Sequence, residues 1–368
     1  MTAVHQFVPT LAPRDAVGRH YLAIQETLRA AGYRSDIYSY EAKDEYKRLA
    51  KPFTSFTGGA PNGSRGESTW LLYHSSVGST VADFVAARDE PLIVDYHNIT
   101  PAPFFARWEP ALAGALMKGR RQLASLESRA ALGMADSAFN AQELTDLGYA
   151  RTSVVPILLD IEALDATPAD PKVLDQLTGA KSRGGVDWLF VGRLAPNKAQ
   201  HDVVKAFAAY RRLYDDRARL HLVGASSSHR YELALSAFIG ALDLGDSVDV
   251  TGGVSAGALT AYFEAADVYV TASEHEGFCV PLLEAMHHRV PIVAHAAAAV
   301  PETLGDAGLL LDAKDAYTIA SAVHRVVDES ALRKQLVEAG VRRLRDFDLE
   351  KSRKKLLDAL EPVVGSPK

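Results

Sequence analysis

Two glutamates separated by seven residues are the most informative feature of the sequence. Glu276 and Glu284 lie in the stretch TASEHEGFCVPLLEAMHHRVPIV, which runs from Thr271 to Val293. Glu276 falls in a glycine-containing turn, whereas Pro281 predicts that a helix begins shortly before Glu284. A carboxylate can accept two hydrogen bonds at once, which suits the paired hydroxyls of a sugar or a ribose. Simpler interpretations are a surface charge for Glu276 and a carboxylate stabilised by the helix dipole for Glu284.

Two cations follow another candidate strand. Arg193 and Lys198 lie in the segment RLAPNKAQHDVVKAF, directly after the apolar run DWLFVG. Gly192 would allow the backbone to turn sharply between strand and helix. Cations beside a helix N-terminus bind a diphosphate well, because the helix N–H groups and the dipole act with them. The alternative interpretation is that both side chains are simply solvated.

The first half of the chain offers three further candidates. His97 follows the run LIVDY, His74 lies near the end of WLLYHS, and Gly18 stands where a helix begins after the first strand. Histidine exchanges protons near neutral pH, and glycine lets a phosphate or an acceptor approach the backbone. The alternatives are that both histidines are structural and that the glycine has no binding role.

The candidate residues are positioned by short apolar runs that alternate with segments of helical periodicity. About eleven such runs are present: AVHQFV, SDIYSY, WLLYHS, PLIVDYH, SVVPIL, DWLFVG, RLHLVG, SVDVTG, DVYVTAS, VPIVAH and GLLLD. Alternation of strands with helices predicts parallel sheets that are covered on both faces. Because eleven strands are too many for one comfortable doubly wound sheet, we predict two Rossmann-like domains.

A segment with scattered proline and glycine, from Leu158 to Gly185, is the predicted connection between these domains. The first domain would be residues 1–160 and the second residues 161–349, with a terminal helix at 350–368 packing back on the first. Ligands bind beyond the carboxyl ends of parallel strands, so we expect a cleft between the two sets of strand ends. The Gly- and Ser-rich stretch from Ser55 to Ser68 predicts a flexible surface loop.

The net charge, the cysteine content and the lack of long apolar runs exclude several classes of protein. The chain has 368 residues and a formal net charge of −6, which argues against nucleic acid as the main partner. The single cysteine, Cys279, excludes an internal disulfide framework and favours a reducing compartment. Neither a signal-peptide pattern nor an apolar run of about 18 residues is found. We therefore expect a cytoplasmic protein.

Considered together, the pattern Gly-Arg-x4-Lys and the later pattern Glu-Gly-Phe-x5-Glu-Ala-Met resemble the family 4 retaining glycosyltransferases. The resemblance covers essentially the whole chain and is strongest from Trp188 to Asp312. It implies the α/β fold called GT-B, in which two Rossmann-like doubly wound domains face a central cleft. It also implies that a hexose passes from a nucleotide-diphosphate sugar, UDP- or GDP-linked, to an acceptor hydroxyl, without a cofactor. The acceptor would be a glycan, a lipid-linked sugar or a small molecule.

The resemblance also implies roles for individual residues. It places Arg193 and Lys198 at the diphosphate, Glu276 at the donor sugar and Glu284 at the ribose hydroxyls. The remaining implied donor contacts are Gly277, Phe278 and Cys279 at the sugar and phosphate, Val254 at the nucleobase, His97 at the reacting carbon and Gly18 in the loop that cradles the diphosphate. The predicted catalytic residues are His97, Glu276, Arg193 and Lys198.

Three departures from the family's pattern concern local structure. HHR replaces the glycine usual after the second-glutamate helix, which puts that turn in question. AVG replaces a Gly-Gly pair near the first helix, and FDLEKS stands where an aromatic residue, commonly Trp, is usual. The last change puts the docking of the terminal helix in question.

No metal site is expected. The Asp-x-Asp pattern from Asp346 to Asp348 follows no strand and predicts a helix cap. Protein cations can do the work of a metal by stabilising charge on the departing diphosphate.

Other hypotheses stay open from the sequence. The chain could be a nucleotide-sugar epimerase, which needs no acceptor, or an inactive scaffold that binds nucleotide sugars. The stretch FFARWEPALAGALMKGRR could lie on an anionic membrane at its inner face or present an ordinary solvated helix face. The sequence does not indicate an oligomeric state.

Overall fold

A computed structural model describes residues 2–12, 16–58 and 68–366 of the chain. The chain divides into two compact units, the first formed by Met1–Pro103, Pro110–Leu159 and Phe347–Lys368, and the second by Phe104–Glu109 and Asp160–Asp346. The short segment Phe104–Glu109 thus belongs with the second unit, whereas the sequence-based division kept it in the first domain. Most of the loop predicted from Ser55 to Ser68 lies outside the described residues.

Short strands and longer helices alternate in both units. The strands are β1 (Ala3–Leu11), β2 (Ile37–Ala42), β3 (Ala50–Pro52), β4 (Thr69–Ser75), β5 (Leu92–Tyr96), β6 (Ala130–Ala135), β7 (Thr152–Val154), β8 (Asp187–Val191), β9 (Arg219–Val223), β10 (Val248–Gly252), β11 (Val268–Thr271), β12 (Ile292–His295) and β13 (Gly308–Leu311). The helices are α1 (Ala16–Ala30), α2 (Thr80–Ala86), α3 (Pro103–Ala106), α4 (Pro110–Leu126), α5 (Ala138–Asp146), α6 (Glu162–Asp165), α7 (Pro171–Lys181), α8 (Gln200–Leu213), α9 (His229–Ala241), α10 (Ala256–Ala265), α11 (Val280–His287), α12 (Val300–Leu304), α13 (Ala316–Asp328), α14 (Ser330–Leu344) and α15 (Leu349–Val364).

The sheet of the first unit is entirely parallel among the described residues. Its strand order is β3-β2-β1-β4-β5-β6-β7, and the direction of progress reverses between β1 and β4. In a parallel sheet the carboxyl ends of all strands lie at one edge, and the reversal leaves a crevice there where ligands bind. The loops after β4, β5 and β6 are therefore neighbours at the functional edge.

The second unit repeats this design. Its described strands are also parallel and run in the order β10-β9-β8-β11-β12-β13, so the reversal lies between β8 and β11. The two parallel sheets with their crossover helices confirm the predicted fold class of two Rossmann-like doubly wound domains. The loops after β8 and β11 carry the cations and the first glutamate that the sequence singled out.

Each unit has its own apolar core. In the second unit, Trp188, Phe190 and Phe207 are almost completely buried in one cluster with the helices that cover the sheet. In the first unit, Leu356 and Leu360 of α15 join a cluster with residues of β1, α1 and β4. The terminal helix is thus held by apolar packing, which is non-directional and proportional to the area buried, although the usual aromatic residue is missing.

The start of α15 explains the Asp-x-Asp pattern. The Asp348 side chain accepts hydrogen bonds from the N–H groups of Glu350 and Lys351, as the N-cap residue of a helix does. Asp346 forms an ion pair with Arg343 at 2.8 Å. The prediction that this pattern caps a helix is confirmed.

Two strands were missing from the sequence-based set. β6 is the run AALGMA, which lacks the β-branched and aromatic residues that favour strands. β3 has only three residues, at the edge of its sheet. Both gain their strand conformation from pairing with a neighbour rather than from local preference.

Stability at acid pH is expected to depend on Asp187 at the start of β8. Arg219 donates to its two oxygens at 2.6 and 3.0 Å. Burial alone would raise the pKa of Asp187, but hydrogen bonds from His221 and Arg219 hold it below its usual value. A carboxyl with a depressed pKa stabilises the fold above its unfolded pKa of about 3.9 and loses that contribution as pH falls further.

We therefore expect the melting temperature to fall as pH is lowered below about 4, and to fall less in Asp187→Asn, which lacks the titrating group. Thermal unfolding followed by circular dichroism between pH 3 and 6 measures both. An equally steep acid dependence in the variant would contradict this assignment.

Candidate functional site

The candidate site of the second unit lies where the strand order reverses. The loop after β8 holds Arg193 and Lys198, and the loop after β11 holds Glu276. Two glycines allow the chain to pass closely here: Gly192 has φ 154° and Gly224 has φ 147°, and a Cβ on Gly224 would lie 2.0 Å from the Gly192 carbonyl oxygen. A side chain at that position could not be accommodated without moving the backbone.

The structure joins Lys198 directly to Glu276. The Lys198 Nζ donates to Glu276 Oε2 at 2.5 Å, and the two side chains are 19% and 9% exposed. The Asn197 carbonyl accepts from the Glu274 N–H at 2.8 Å, and Asn197 Nδ2 donates to the His275 carbonyl at 3.1 Å. These hydrogen bonds and the ion pair hold the loops after β8 and β11 together.

Arg193 is positioned differently from Lys198. It is exposed, and within the described ranges its guanidinium makes no ion pair that would compete for a ligand. Its carbonyl accepts from Gln200 Nε2 at 2.8 Å, which fixes the backbone at the start of α8. The loop thus presents one cation to solvent and keeps the other paired with a carboxylate.

Helix α11 begins in a conformation that only a constrained site tolerates. Cys279, its N-terminal cap, has φ 70°, in the left-handed region that non-glycine residues rarely adopt. Pro281 lies in the first turn, as predicted. Thr303 Oγ1 donates to the Phe278 carbonyl at 2.6 Å, and the Ala299 N–H donates to the Glu276 carbonyl at 3.3 Å.

Glu284 lies in the second turn of α11 and is 6% exposed. Burial raises the pKa of the nearby Tyr269 hydroxyl, and Cys279, Glu276 and Glu284 raise it further. The two glutamates are therefore both close enough to Tyr269 to act on it electrostatically. Burial also raises the pKa of the Cys279 thiol well above its usual value, so this cysteine stays a neutral thiol and is a poor nucleophile.

The end of α11 and the turn after it contain HHR, the first of the three departures from the family's pattern found in the sequence. Arg289 has φ 56°, so a non-glycine residue holds the left-handed position that favours glycine. The loop after β10 contains the half-buried Val254, directly before α10. The predicted contact of Val254 with a nucleobase stays a prediction.

In the first unit, His97 lies in a buried cluster of histidines and aspartates. The His97 side chain is 0% exposed. Its Nδ1 lies 2.9 Å from Asp136 Oδ1, and its Nε2 lies 2.9 Å from His74 Nδ1. His97 as a whole is 8% exposed, so its accessible surface belongs to the main chain.

Gly18 lies inside the first turn of α1 and is buried. The sequence placed it in a loop that cradles the donor diphosphate. Residues 13–15, which precede α1, lie outside the described residues, so the cradle itself stays a prediction.

One group of side chains has the chemistry of a metal site. His20, Asp95, His97 and Asp136 each offer a ligand atom, and these atoms lie within 4.8 Å of one another. However, His20 Nδ1 accepts the Leu158 N–H at 2.9 Å. A neutral His20 must then carry its proton on Nε2, which therefore cannot bind a metal. The hydrogen bonds of His20 thus do not suit metal ligation.

The segment Phe104–Glu109 packs within the second unit. The Phe104 ring lies 6.3 Å from the His275 ring, and the Trp108 ring meets Tyr231 edge-on at 5.3 Å. Phe105 is 5% exposed. Phe104 and Trp108 are half-buried, and the possible contact of this stretch with a membrane stays a prediction.

Two of the four cations in the same stretch pair with carboxylates of the protein, whereas Arg107 and Arg121 are exposed. Arg120 donates to the Ile99 carbonyl and to Glu143, and Lys118 pairs with Asp83 at 2.9 Å. Across the described part of the chain, none of the helices combines the length and apolarity needed to span a bilayer.

Sequence reasoning missed two features. It did not pair Lys198 with Glu276, although both follow strands that are adjacent at the reversal of the second sheet. It also treated His74 and His97 singly and omitted their carboxylate neighbours. Asp95 and His97 are two positions apart at the end of one strand, so a period of two places them on one face; that signal was available.

Comparison with known proteins finds relatives of part of the chain. Residues 180–343 match the sequence model of the family described as glycosyl transferases group 1. The chain is 31% identical over 188 residues to D-inositol 3-phosphate glycosyltransferase of Salinispora tropica, which covers 48% of this chain and 38% of that protein. It is 33% identical over 88 residues to O-antigen chain mannosyltransferase B of Escherichia coli, covering 24% and 23% of the two chains. These matches span less than half the length of the relatives.

The whole chain has a structural counterpart. HepE of Anabaena, solved in complex with UDP and glucose, superimposes with a TM-score of 0.74 at 16% identity and covers 98% of this chain and 100% of its own. At that identity the likeness establishes the fold. Residues 180–343 therefore match the group 1 glycosyl transferases, in a chain whose two units have the fold of GT-B glycosyltransferases.

Proposed function

We propose that the chain is a retaining glycosyltransferase of family 4. It transfers a hexose from a nucleotide-diphosphate sugar to the hydroxyl of a glycan, a lipid-linked sugar or a small molecule. The proposal assigns the diphosphate to Arg193 and Lys198, the donor sugar to Glu276 and the ribose to Glu284.

The ion pair between Lys198 and Glu276 is the observation that supports this most strongly. The pair holds a cation and the carboxylate that we propose to bind the sugar at the point where the strand order reverses, which is where open α/β sheets bind ligands. The exposed Arg193 lies in the same loop and is available to a phosphate. Both loops lie within the residues that match the family.

The proposed sugar transfer uses the positive charges of Arg193 and Lys198. The bond between the anomeric carbon and the phosphate oxygen breaks, and the electron pair leaves with the diphosphate. Arg193 and Lys198 stabilise the negative charge that develops on it. The acceptor oxygen bonds to the anomeric carbon on the same face, and its proton passes to the departing phosphate oxygen, so no conventional protein base is needed.

A structural neighbour indicates which donors to test first. Because HepE of Anabaena binds UDP, UDP-sugars are the first donors to test, followed by GDP-sugars. A screen of both sets by thermal stabilisation and by slow donor hydrolysis should yield one donor that gives both signals. Absence of stabilisation and of hydrolysis with every nucleotide sugar would contradict the proposal.

Catalysis is expected to persist without free divalent metal. The Asp-x-Asp pattern caps a helix, and protein cations supply the positive charge that other glycosyltransferases take from a metal. Turnover of the donor found by the screen should therefore be the same in excess EDTA as in Mg²⁺. Complete loss of turnover in EDTA, restored by Mg²⁺ or Mn²⁺, would show that this prediction is wrong.

A further inference from the structure

In the buried histidine–aspartate cluster of the first unit, the hydrogen-bond partners determine which atoms carry protons. Its members come from separate elements at one edge of the sheet: His20 from α1, His74 from β4, Asp95 from β5, His97 from the following loop and Asp136 from the loop after β6. Their side chains are between 0% and 3% exposed. Buried polar groups must find hydrogen-bond partners within the protein, so the partners reveal which atoms carry protons.

The first step concerns His74. Gln6 Nε2 donates to the Tyr21 carbonyl at 3.0 Å, so its other amide atom, Oε1, can only accept. That oxygen lies 2.9 Å from His74 Nε2. His74 therefore carries a proton on Nε2.

The second step concerns the facing rings. His74 Nδ1 lies 2.9 Å from His97 Nε2, and the rings stack with centroids 5.2 Å apart. His74 Nδ1 also lies 3.2 Å from Asp95 Oδ2. However, the other His74 nitrogen faces the uncharged amide of Gln6, whereas His97 lies against a carboxylate on each side. A positive charge is therefore more stable on His97 than on His74, in agreement with the burial that lowers the pKa of His74 to about 4. The hydrogen between the two rings must then be on His97 Nε2.

The third step concerns the other nitrogen of His97. His97 Nδ1 lies 2.9 and 3.1 Å from the two oxygens of Asp136, and an ionised carboxylate can only accept. Burial raises the pKa of Asp136, although His97 opposes this. An imidazole is intrinsically more basic than a carboxylate by about 2.6 pKa units, so the shared proton belongs on the ring.

We propose that His97 is a buried imidazolium, which donates one ring proton to His74 and the other to Asp136. Asp95 supplies a second counter-charge. Its Oδ2 lies 3.5 Å from His97 Nε2 and 3.3 Å from His20 Nε2. Burial alone would raise the pKa of Asp95, but His97, His20 and His74 hold it well below its usual value.

The charge balance supports this state. With three neutral histidines, two ionised aspartates would be buried together without a cation, which is strongly unfavourable. One proton on His97 places a positive charge between the two carboxylates.

This protonation state has one consequence for the proposed function. Only that consequence, and not the protonation state itself, rests on the proposed function. A ring that already holds both protons cannot accept a proton from an acceptor hydroxyl. His97 is therefore not a general base, and Asp136 and His74 are positioning residues that act through it. The fixed ring holds the main chain after β5, where the His97 N–H donates to the Ser75 carbonyl at 2.9 Å and Asn98 has φ 65°.

Nitrogen NMR of the protein labelled in its histidine rings tests the protonation state directly. At pH 8, where a solvent-exposed histidine with a pKa of about 6.5 is neutral, one ring should have both nitrogens protonated. That signal should be missing from the spectrum of His97→Gln. A singly protonated His97 at pH 8 would overturn the inference, and so would one transition-metal ion per chain by elemental analysis of the same sample.

Variants of two aspartates supply the matched comparison. Asp136→Asn removes the counter-charge, so His97 should become singly protonated at pH 8. Asp146→Asn, at an exposed position of α5 in the same unit, should leave the signal unchanged. A doubly protonated ring in Asp136→Asn would overturn the role of Asp136. If Asp136→Asn does not fold, the wild-type spectrum still decides whether His97 is doubly protonated. A wild-type protein that is inactive but contains the imidazolium would contradict only the proposed function.

Discussion

Replacing Glu276 with Gln is expected to lower kcat by about 10²-fold, as other deletions of electrostatic stabilisation do. The proposed contact of Glu276 is with the donor sugar, whose charge and ring shape change at the barrier. Gln keeps the shape of the side chain and removes its charge. The substitution also weakens the ion pair with Lys198, so that the cation loses its positioning partner. Steady-state kinetics with the donor found by the screen measure the effect.

The same change at Glu284 is expected to act on binding. Its proposed partner, the ribose, does not change during the reaction, so Glu284→Gln removes binding energy equally from the ground state and the transition state. The donor KM should then rise more than kcat falls. Calorimetry with the nucleoside diphosphate should show the same loss of affinity.

Glu274→Gln is the matched control for both variants. Glu274 lies in the same loop as Glu276, but its carboxylate pairs with Lys314. Its loss should leave the ratio of kcat to KM close to wild type. If Glu276→Gln and Glu284→Gln lose kcat and KM in the same proportions, the proposed division of roles is wrong.

Lys198 should show an effect larger than that of a single phosphate contact. Lys198→Ala removes a charge-assisted hydrogen bond worth about 1.5–3 kcal/mol, which corresponds to roughly ten- to a hundred-fold weaker nucleotide-diphosphate binding. It also leaves the Glu276 carboxylate, 9% exposed, without its cation, which adds a loss of stability. Arg193→Ala should show a comparable loss of affinity with little change in melting temperature, because Arg193 is exposed and unpaired within the described residues.

A double-mutant cycle separates these contributions. In Lys198→Ala with Glu276→Gln, the loss of melting stability should be smaller than the sum of the single losses, with a coupling energy of about 0.5–3 kcal/mol. Lys205→Ala serves as the control, since Lys205 is 50% exposed and pairs with Asp202 on the same helix. Strictly additive effects would show that the pair seen between Lys198 and Glu276 is not formed in solution.

The second unit was the easier of the two to predict. All six of its strands were read from the sequence because each is an apolar run bounded by polar or glycine residues, as the burial of a parallel sheet requires. The start of α11 was predicted from Pro281. The left-handed conformations of Cys279 and Arg289 were not, since nothing in a non-glycine residue signals a positive φ, and it is the surrounding packing that enforces them.

The first unit was harder for physical reasons. β6 contains Ala, Gly and Met, whose local preferences do not favour a strand, so the loop that carries Asp136 could not be placed. Without that loop, Asp136 could not be recognised as a partner of His97, and the nearer signal from Asp95 on the same strand was overlooked. The contacts of the segment Phe104–Glu109 depend on tertiary packing between residues distant in sequence, which periodicity cannot reveal.

Stereochemistry tests the central claim most directly. With the donor found by the screen and an acceptor that accepts its sugar, proton NMR during the reaction reports the anomeric configuration of the first product before it can equilibrate. We predict retention of the configuration of the donor. A product of inverted configuration would contradict the assignment to the retaining glycosyltransferases and, with it, the roles proposed for Arg193, Lys198, Glu276 and Glu284.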